Sequence, residues 1–500
     1  MKKVFFGAAA LLFSGALLAQ TPKLDDQNGD AAINATVVSP LTQAGAGANA
    51  GESYQNGDNN KVRVRQAGTS QSVFSEQDNG LGTGGNLGQI WQTGAVNSNS
   101  GFENAAMLKQ LGTANQSTTV QEGDSNDAVT QQGLKEATLG VSANNKAKIR
   151  QGTGNQAENN YAMVEQDGEG NKALTLQTYD NSEARTVQEG DNNKANIDQN
   201  AGPNGSDGHS AIVEQYGDEN KGRVKQSGQG ASNFSGLTQT GNGNKSLQKQ
   251  INTAAMGGTA NEAFVNQGTA GANGAVAQTA RALYTPISAL DDITAGGFNG
   301  PGSYNALAIQ NQNGEANQSS IFQFGADAPT EGNYAEQDVD GDRNNSLIVQ
   351  NDFGTASGGN NYAKQTQDGD DNNSGLVQLG NDNKAAQVQI GNENYALATQ
   401  RGTANLLNTH QIGDENAVTS AQRGQHNQIL IVQRDGQSFK AEQNLNDSFS
   451  NGNNVIDVLQ LGPHGDFTTD GIECNFEDEL NPNFITPVPD FTIDNPCDDC

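Results

Sequence analysis

Seven glutamines between residues 367 and 433 recur every eleven residues, and each of the first six is followed five places later by an asparagine. A primary amide carries two N–H donors and an acceptor oxygen, so it can bond to copies of itself on two sides. The chemistry these residues can perform is therefore hydrogen bonding between stacked amides. The predicted ladder and self-assembly positions are Gln367, Asn372, Gln378, Asn383, Gln389, Asn394, Gln400, Asn405, Gln411, Asn416, Gln422, Asn427 and Gln433.

A glycine stands two places after each of the six glutamines that begin a unit. Glycine permits a positive φ, and Asn and Asp tolerate turn conformations. The predicted turn glycines are Gly369, Gly380, Gly391, Gly402, Gly413 and Gly424.

The parity of the unit predicts strands. The Asn, the small or apolar residue two places later and the next Gln lie even numbers of positions apart. On a strand, residues an even number of positions apart point to the same side. Gln and the following Asn are five residues apart, an odd number that would place them on opposite faces of a straight strand. The chain must therefore turn between them. Each unit is predicted to be a strand of about six or seven residues followed by a four-residue turn.

An eleven-residue period could also belong to a helix, because three turns of 3.67 residues give a right-handed supercoil. Each unit would then place a glycine inside the helix at a cost of about 1 kcal/mol. No apolar stripe at helical spacing runs through the array either. We therefore predict an all-β solenoid in which two 11-residue units form one rung of about 22 residues, with roughly 16–18 rungs over about 80 Å.

The composition requires a polar interior. Only 33% of the 500 residues are hydrophobic, so a large apolar core cannot form. A buried amide left unpaired costs about 1–3 kcal/mol, and stacking removes that cost. The net charge of −30 argues against nucleic acid or an anionic membrane as the main partner.

The N-terminus has the features of a secretory signal. Lys2 and Lys3 precede an apolar stretch over residues 4–18, and Ala19 is a plausible cleavage point. A stretch without the repeat, residues 279–303, is either a protruding loop or a joint between two solenoid segments. The predicted organisation is a signal peptide (1–19), a flexible leader (20–54), the first solenoid part (55–278), the insertion (279–303), the second solenoid part (304–462) and a Pro/Asp-rich tail (463–500).

Other reactive residue types do not form a catalytic set. The four histidines are scattered and are predicted to be surface residues: His209, His410, His426 and His464. Cys497 and Cys500 have metal or redox spacing, but the sequence has no second such pair, and a disulfide in an exported tail is favoured. With Cys474, the tail has three cysteines whose pairing stays open.

The predicted turns are rich in aspartate, which could bind Ca²⁺ or stay solvated. The nine-residue glycine-rich calcium pattern is absent, so solvated turn acids are favoured. These acids are Asp58, Asp124, Asp191, Asp370, Asp371 and Asp414. Outward Tyr395, Leu406 and Leu430 could serve adhesion or lateral packing between filaments, and both alternatives stay open.

The motif Gln-x-Gly-x-x-Asn-x-Ala-x-x-x-Gln resembles the curlin repeat, the signature of curli amyloid subunits of bacterial surfaces. Residues 378–389 and 389–400 fit it at every fixed position. This chain departs from the family in that Asn heads nearly every strand, the array is several times longer, and the tail is foreign to the pattern. The resemblance implies export in an unfolded state through a dedicated outer-membrane pore, followed by folding and polymerisation outside a Gram-negative-type cell.

We therefore expect a secreted, non-enzymatic subunit of curli-like fibres for adhesion and biofilm matrix. Its expected partners are copies of itself, other curlin-like subunits or a nucleator, and the export pore. We expect no cofactor, no metal and no membrane insertion of the mature chain. The alternative is a monomeric β-solenoid adhesin, or a protein that binds a surface such as ice or a glycan, whose capped ends prevent polymerisation. A disordered Asn/Gln-rich polymer is disfavoured by the strict register over residues 367–433.

Overall fold

The computed structural model describes residues 49–80, 84–93, 103–133, 142–152, 157–202, 208–228, 231–254, 258–268, 303–325, 332–351, 359–444 and 452–462. In these ranges the chain forms short strands joined by turns. The strands are β1 (Ala50–Asn56), β2 (Lys61–Ala67), β3 (Ser72–Asp78), β4 (Leu87–Thr93), β5 (Ala105–Leu111), β6 (Gln116–Asp124), β7 (Asp127–Gln132), β8 (Lys146–Gln151), β9 (Ala157–Glu158), β10 (Tyr161–Asp167), β11 (Lys172–Thr178), β12 (Glu183–Glu189), β13 (Lys194–Asn200), β14 (Ser210–Tyr216), β15 (Lys221–Gly228), β16 (Asn233–Thr240), β17 (Lys245–Asn252), β18 (Asn261–Gln267), β19 (Leu307–Gly314), β20 (Gln318–Phe324), β21 (Tyr334–Asp340), β22 (Asn345–Asn351), β23 (Tyr362–Asp368), β24 (Asn373–Asn381), β25 (Lys384–Ile390), β26 (Tyr395–Thr403), β27 (Leu406–Ile412), β28 (Ala417–Gln425), β29 (Gln428–Arg434), β30 (Ser438–Gln443) and β31 (Val455–Gln460).

The strands build two parallel sheets that face each other. The first sheet runs from β1 to β30 and the second from β2 to β31; each path has fifteen strands, and the short β9 pairs with β6 beside the second path. One strand of each sheet, with its turns, makes one rung. The prediction of an all-β solenoid with two units per rung is confirmed.

The described residues form fifteen rungs, one for each strand along either sheet path. This is fewer than the 16–18 predicted, because insertions lengthen several rungs beyond the 22-residue spacing. Gln248 and Gln310, for example, lie on neighbouring rungs although 62 residues separate them. At one rung per strand spacing, the body is about 70 Å long.

The register is set by glutamine. Gln367 lies opposite Gln389, and Gln389 lies opposite Gln411, in parallel pairs without a slip. A shift by one residue would turn every inward side chain outward, so an interior of matched amides specifies this register strongly.

Apolar residues fill the space between the amides. Leu407, Val418, Ile429 and Ile431 are fully buried in one continuous interior cluster that extends over many rungs. A second apolar cluster lies on the outer face of the first sheet and includes Phe322 and neighbouring aliphatic side chains. The interior supplies only a thin apolar layer, and amide bonding must hold the rungs in place.

The array is continuous across the predicted insertion. Residues 269–302 lie outside the described residues, yet β18 pairs with β20 and β17 pairs with β19 in the ordinary register. The two solenoid parts therefore form one stack of strands. At the N-terminal end β1 begins at Ala50, within the range predicted as leader. The predicted signal peptide and the cysteine-containing tail lie outside the described residues.

The turns depend on glycine for two reasons. All six predicted turn glycines have a positive φ, between 86° and 122°. At Gly391 an added Cβ would lie 2.4 Å from the carbonyl oxygen of Gly413 in the next rung. The residue just before each Asn also has a left-handed backbone conformation, for example Asp371 and Glu393 with φ of 57°. Close stacking of turns therefore excludes a side chain at the glycine position.

We predict that Gly391→Ala destabilises the solenoid more than Gly436→Ala. Both positions have a positive φ, which costs an L-residue about 1–2 kcal/mol. A Cβ at Gly436 meets nothing within 4 Å, whereas one at Gly391 strikes the backbone of the next rung. Urea unfolding followed by circular dichroism measures the difference, and equal midpoints for the two variants would show that stacking does not depend on glycine here.

Candidate functional site: the amide ladders

The predicted amide residues form the axis of the interior. All thirteen are at most 1% exposed. The glutamines lie near the C-terminal ends of strands, and each Asn directly precedes a strand. They fall into four columns, one of Gln and one of Asn in each sheet.

Each of the seven predicted Gln side chains donates to the Gln of the following rung. In the second sheet the Nε2 atom of Gln367 lies 2.9 Å from Oε1 of Gln389, which bonds in turn to Gln411 at 2.9 Å. The column continues through Gln433 at 3.1 Å to Gln460 at 2.8 Å. The first sheet holds the equivalent column: Gln350, Gln378, Gln400, Gln422 and Gln443, at 2.8–3.1 Å.

The second N–H of each of these Gln amides donates across the interior to the opposite sheet. Gln389 donates to the backbone carbonyl of Asn373 at 3.1 Å, and Gln400 donates to that of Lys384 at 3.0 Å. Both acceptors lie at the start of a strand in the opposite sheet. The glutamines thus join the two sheets as well as the rungs, a role that the repeat spacing did not predict.

Each Asn side chain bonds to neighbours on both sides. The Nδ2 atom of Asn405 donates to Oδ1 of Asn383 at 3.0 Å, and the same oxygen accepts the backbone N–H of Asn405 at 3.2 Å. The Nδ2 atom also donates to the carbonyl of turn glycine Gly424 in the next rung at 3.0 Å. The Asn columns therefore fix the turns, and this explains why Asn and Gly recur together.

The two kinds of column have opposite polarity. Gln amides donate to the Gln one rung nearer the C-terminus, whereas Asn amides donate to the Asn one rung nearer the N-terminus. An internal amide is therefore fully bonded only when both neighbouring rungs carry its partners. Gln367 follows Val339 in its column, and its Oε1 is buried without a hydrogen-bond partner.

A second Gln column, which sequence reasoning missed, occupies five rungs of the second sheet. Its members bond successively at 2.9 Å: Gln248, Gln310, Gln337, Gln365 and Gln387. The available signal was a Gln-x-Gln pattern, as in residues 365–367 and 387–389, because residues two apart on a strand share a face.

His209 occupies a place in the Asn column of the first sheet. The prediction that it is a surface residue is wrong, because it is 1% exposed. The backbone N–H of Asn233 donates to its Nδ1 at 3.1 Å, and Nε2 lies 3.2 Å from the carbonyl oxygen of Asn200. A carbonyl only accepts, so the neutral ring carries its proton on Nε2.

Burial lowers the pKa of the His209 imidazole to about 4 from its ordinary value of 6.5. Protonation would place a second ring N–H against the N–H of Asn233. His410 is also buried, at 7% exposure, against the prediction of a surface position, whereas His426 lies exposed in a turn. His464 lies outside the described residues.

The turn acids form a hydrogen-bonded column of their own. Asp370 accepts the backbone N–H of Asp342 at 2.9 Å, and Asp414 accepts that of Asn392 at 2.8 Å. Asp371 instead holds Arg343 through two contacts of 2.8 Å. Among the described residues no group of three or more His, Cys, Asp or Glu side chains could hold a metal ion.

The outward apolar candidates contribute to the outer faces of the sheets. Tyr395 packs against the cluster on the first sheet, and Leu406 against a cluster on the second. Leu430 is half-buried. Burial raises the pKa of the Tyr395 hydroxyl.

No family model matches this chain, and a search of curated proteins also found no match. In the described part of the chain no helix is long and apolar enough to cross a membrane. The protein is thus a parallel β-solenoid with stacked, buried Gln and Asn ladders, an arrangement that is consistent with curlin repeats but not specific to them.

We predict that His209→Asn flattens the pH dependence of stability. Because the folded pKa is lower than the unfolded one, the unfolded state binds the extra proton, and stability is lost as pH falls from about 6.5 to about 4. Removing the histidine should make the variant about 2 kcal/mol more stable relative to the wild type at pH 5 than at pH 8. Urea midpoints at the two pH values measure this difference.

The matched control is His426→Asn, at an exposed turn position. It should leave the pH dependence unchanged. If both variants shift the profile equally, His209 is not the group responsible.

Proposed function

We propose that this protein is a secreted, non-enzymatic structural subunit whose copies stack end to end into curli-like extracellular fibres that support adhesion and biofilm matrix. The observation that carries the proposal is that no further strand pairs with either end rung among the described residues. In the described residues, each sheet ends in a strand with one unpaired edge: β1 and β2 at one end, β30 and β31 at the other.

The interior is exposed at these ends. Val64 on β2 is 38% exposed, and the inward Ile456 and Val458 on β31 are only partly buried. Ile149 and Ile431, which point inward in internal rungs, have no exposure. An uncovered strand edge with an apolar interior favours addition of another chain.

The ladders favour a second copy of this chain as the chain that adds to the open edge. Amide columns continue only if the incoming rung presents Gln and Asn at the same positions, as in the stacked side chains of amyloid. The two end surfaces differ from each other, so the contact is heterologous. Because each added copy extends the stack along the same axis, the contact does not close and produces filaments.

The resemblance to curlin repeats supports the cellular setting. It implies a Gram-negative-type bacterium, export through a dedicated outer-membrane pore and a nucleator or related subunit as partner. The signal-like residues 1–19 are in keeping with export.

Incubation of the chain lacking residues 1–19 with thioflavin T, followed by fibre diffraction, tests the proposal. We expect seeded growth and reflections near 4.7 Å and 10 Å, which are the strand and sheet spacings. A β-rich protein that stays monomeric would refute it and favour a solenoid adhesin with capped ends.

We predict that Asn383→Ala and Gln389→Ala each slow assembly more than Lys384→Ala. Asn383 and Gln389 have no exposure and bond to both neighbouring rungs, whereas the Lys384 side chain points outward. Their replacement leaves partner amides unpaired at about 1–3 kcal/mol each. Thioflavin T lag times measure assembly, and equal lag times for the three variants would contradict an assembly role for the interior amides.

A further inference from the structure

The two end rungs are the places where one copy could meet the next. Within the solenoid, strands of the two sheets alternate along the chain, and every strand pairs with the next strand of its own sheet. Continuing this order past the last rung places β30 of one copy beside β1 of the next, and β31 beside β2.

The register follows from the rule that glutamine lies opposite glutamine. The first internal pair aligns Gln55 with Gln77, and the last aligns Gln433 with Gln460. Extended across two copies, the rule sets Gln443 opposite Gln55 and Gln460 opposite Gln66.

The inward side chains are compatible in this register. Ile456 and Val458 come to lie opposite Val62 and Val64, so aliphatic side chains meet in the second sheet. In the first sheet, Phe439, which packs on the interior cluster, comes opposite Gly51. The largest inward side chain of the last rung thus meets the position with no side chain.

The amide polarity is also complementary. Gln55 and Gln66 use Nε2 to bond the following rung, at 2.6 Å and 2.9 Å to Gln77 and Gln92. Their Oε1 atoms take the place that accepts from a preceding rung. Gln443 and Gln460 at the other end supply the Nε2 donors that these two acceptors require, as Gln422 and Gln433 do for Gln443 and Gln460 one rung earlier.

The outward side chains carry opposite charges at two positions. Lys440, whose side chain is 58% exposed and forms an ion pair with Glu442 on its own strand, comes opposite Glu52, whose Oε2 is buried without a hydrogen-bond partner. Asp457 comes opposite Arg63, and both residues are exposed. Opposite charges directly across a strand pair stabilise it, and like charges destabilise it.

We propose that the last rung of one copy docks on the first rung of a second copy in this single register, selected by the pairs Lys440–Glu52 and Asp457–Arg63. The inference rests on the proposed function and names the residues that would join two copies. Any other register would misalign the glutamines and separate both charge pairs.

Two charge-reversed variants, Arg63→Asp and Asp457→Arg, test this docking. Alone, each brings like charges together at every contact, and we expect the protein concentration left in solution at equilibrium with fibres to rise up to about tenfold. In an equimolar mixture, the introduced carboxylate of one variant would meet the introduced guanidinium of the other, and the unchanged Arg63 would meet the unchanged Asp457. The mixture should therefore assemble as the wild type does.

The control is Lys61→Asp, which changes the charge by the same amount on the same strand. Lys61 would lie opposite Val455, so the soluble concentration of this variant should change less than about twofold. If the mixture assembles no better than its components, or if Lys61→Asp equals Arg63→Asp, this register is refuted while fibre formation stands. Failure of the wild-type chain to polymerise would refute the proposed function and the docking with it.

Discussion

The structure depends on the need of buried primary amides for partners. A Gln or Asn side chain that leaves water must replace its hydrogen bonds, and the amide at the same position of the adjacent rung supplies them. This condition requires parallel strands in register, since only then does Gln389 meet Gln411 rather than an apolar side chain. It also requires turns that stack closely, because Asn405 must reach the carbonyl of Gly424.

The same condition explains which substitutions the ladder accepts. Ser182 and His209 stand at consecutive positions of the Asn column, and each supplies an acceptor for a backbone N–H of the next rung: Ser182 Oγ for His209, and His209 Nδ1 for Asn233. The column therefore selects a hydrogen-bond acceptor at the right height rather than asparagine itself. A histidine meets this need only while neutral, and its presence makes this segment of the ladder sensitive to acid.

Repeat spacing predicted much of this arrangement, because the inward parity and the turn glycines follow from local chemistry. His209 could also have been placed, since it lies six residues before Gln215, as Asn383 lies six before Gln389. The irregular stretch before His209 hid that relation. The burial of His410 could not be predicted in this way, because it points outward and its exposure depends on packing against the outer face. The bonds from glutamine to the opposite sheet depend on the distance between sheets, on which a one-dimensional period gives no information.

The dimensions of a rung limit how strongly two copies could bind. A strand of seven residues beside its partner strand presents a surface of about 25 Å by 10 Å, much smaller than each side of a standard protein interface. Hydrophobic burial at one end is therefore modest. The copies repel one another, because the full sequence has a net charge of −30 and removal of residues 1–19 takes away Lys2 and Lys3. Small terms then decide whether a contact persists, and two cross-strand ion pairs of about 0.2–1 kcal/mol each are large enough to matter. Because that repulsion decays over about 8 Å at physiological salt, end contacts between aligned rungs could form although the copies as a whole repel one another.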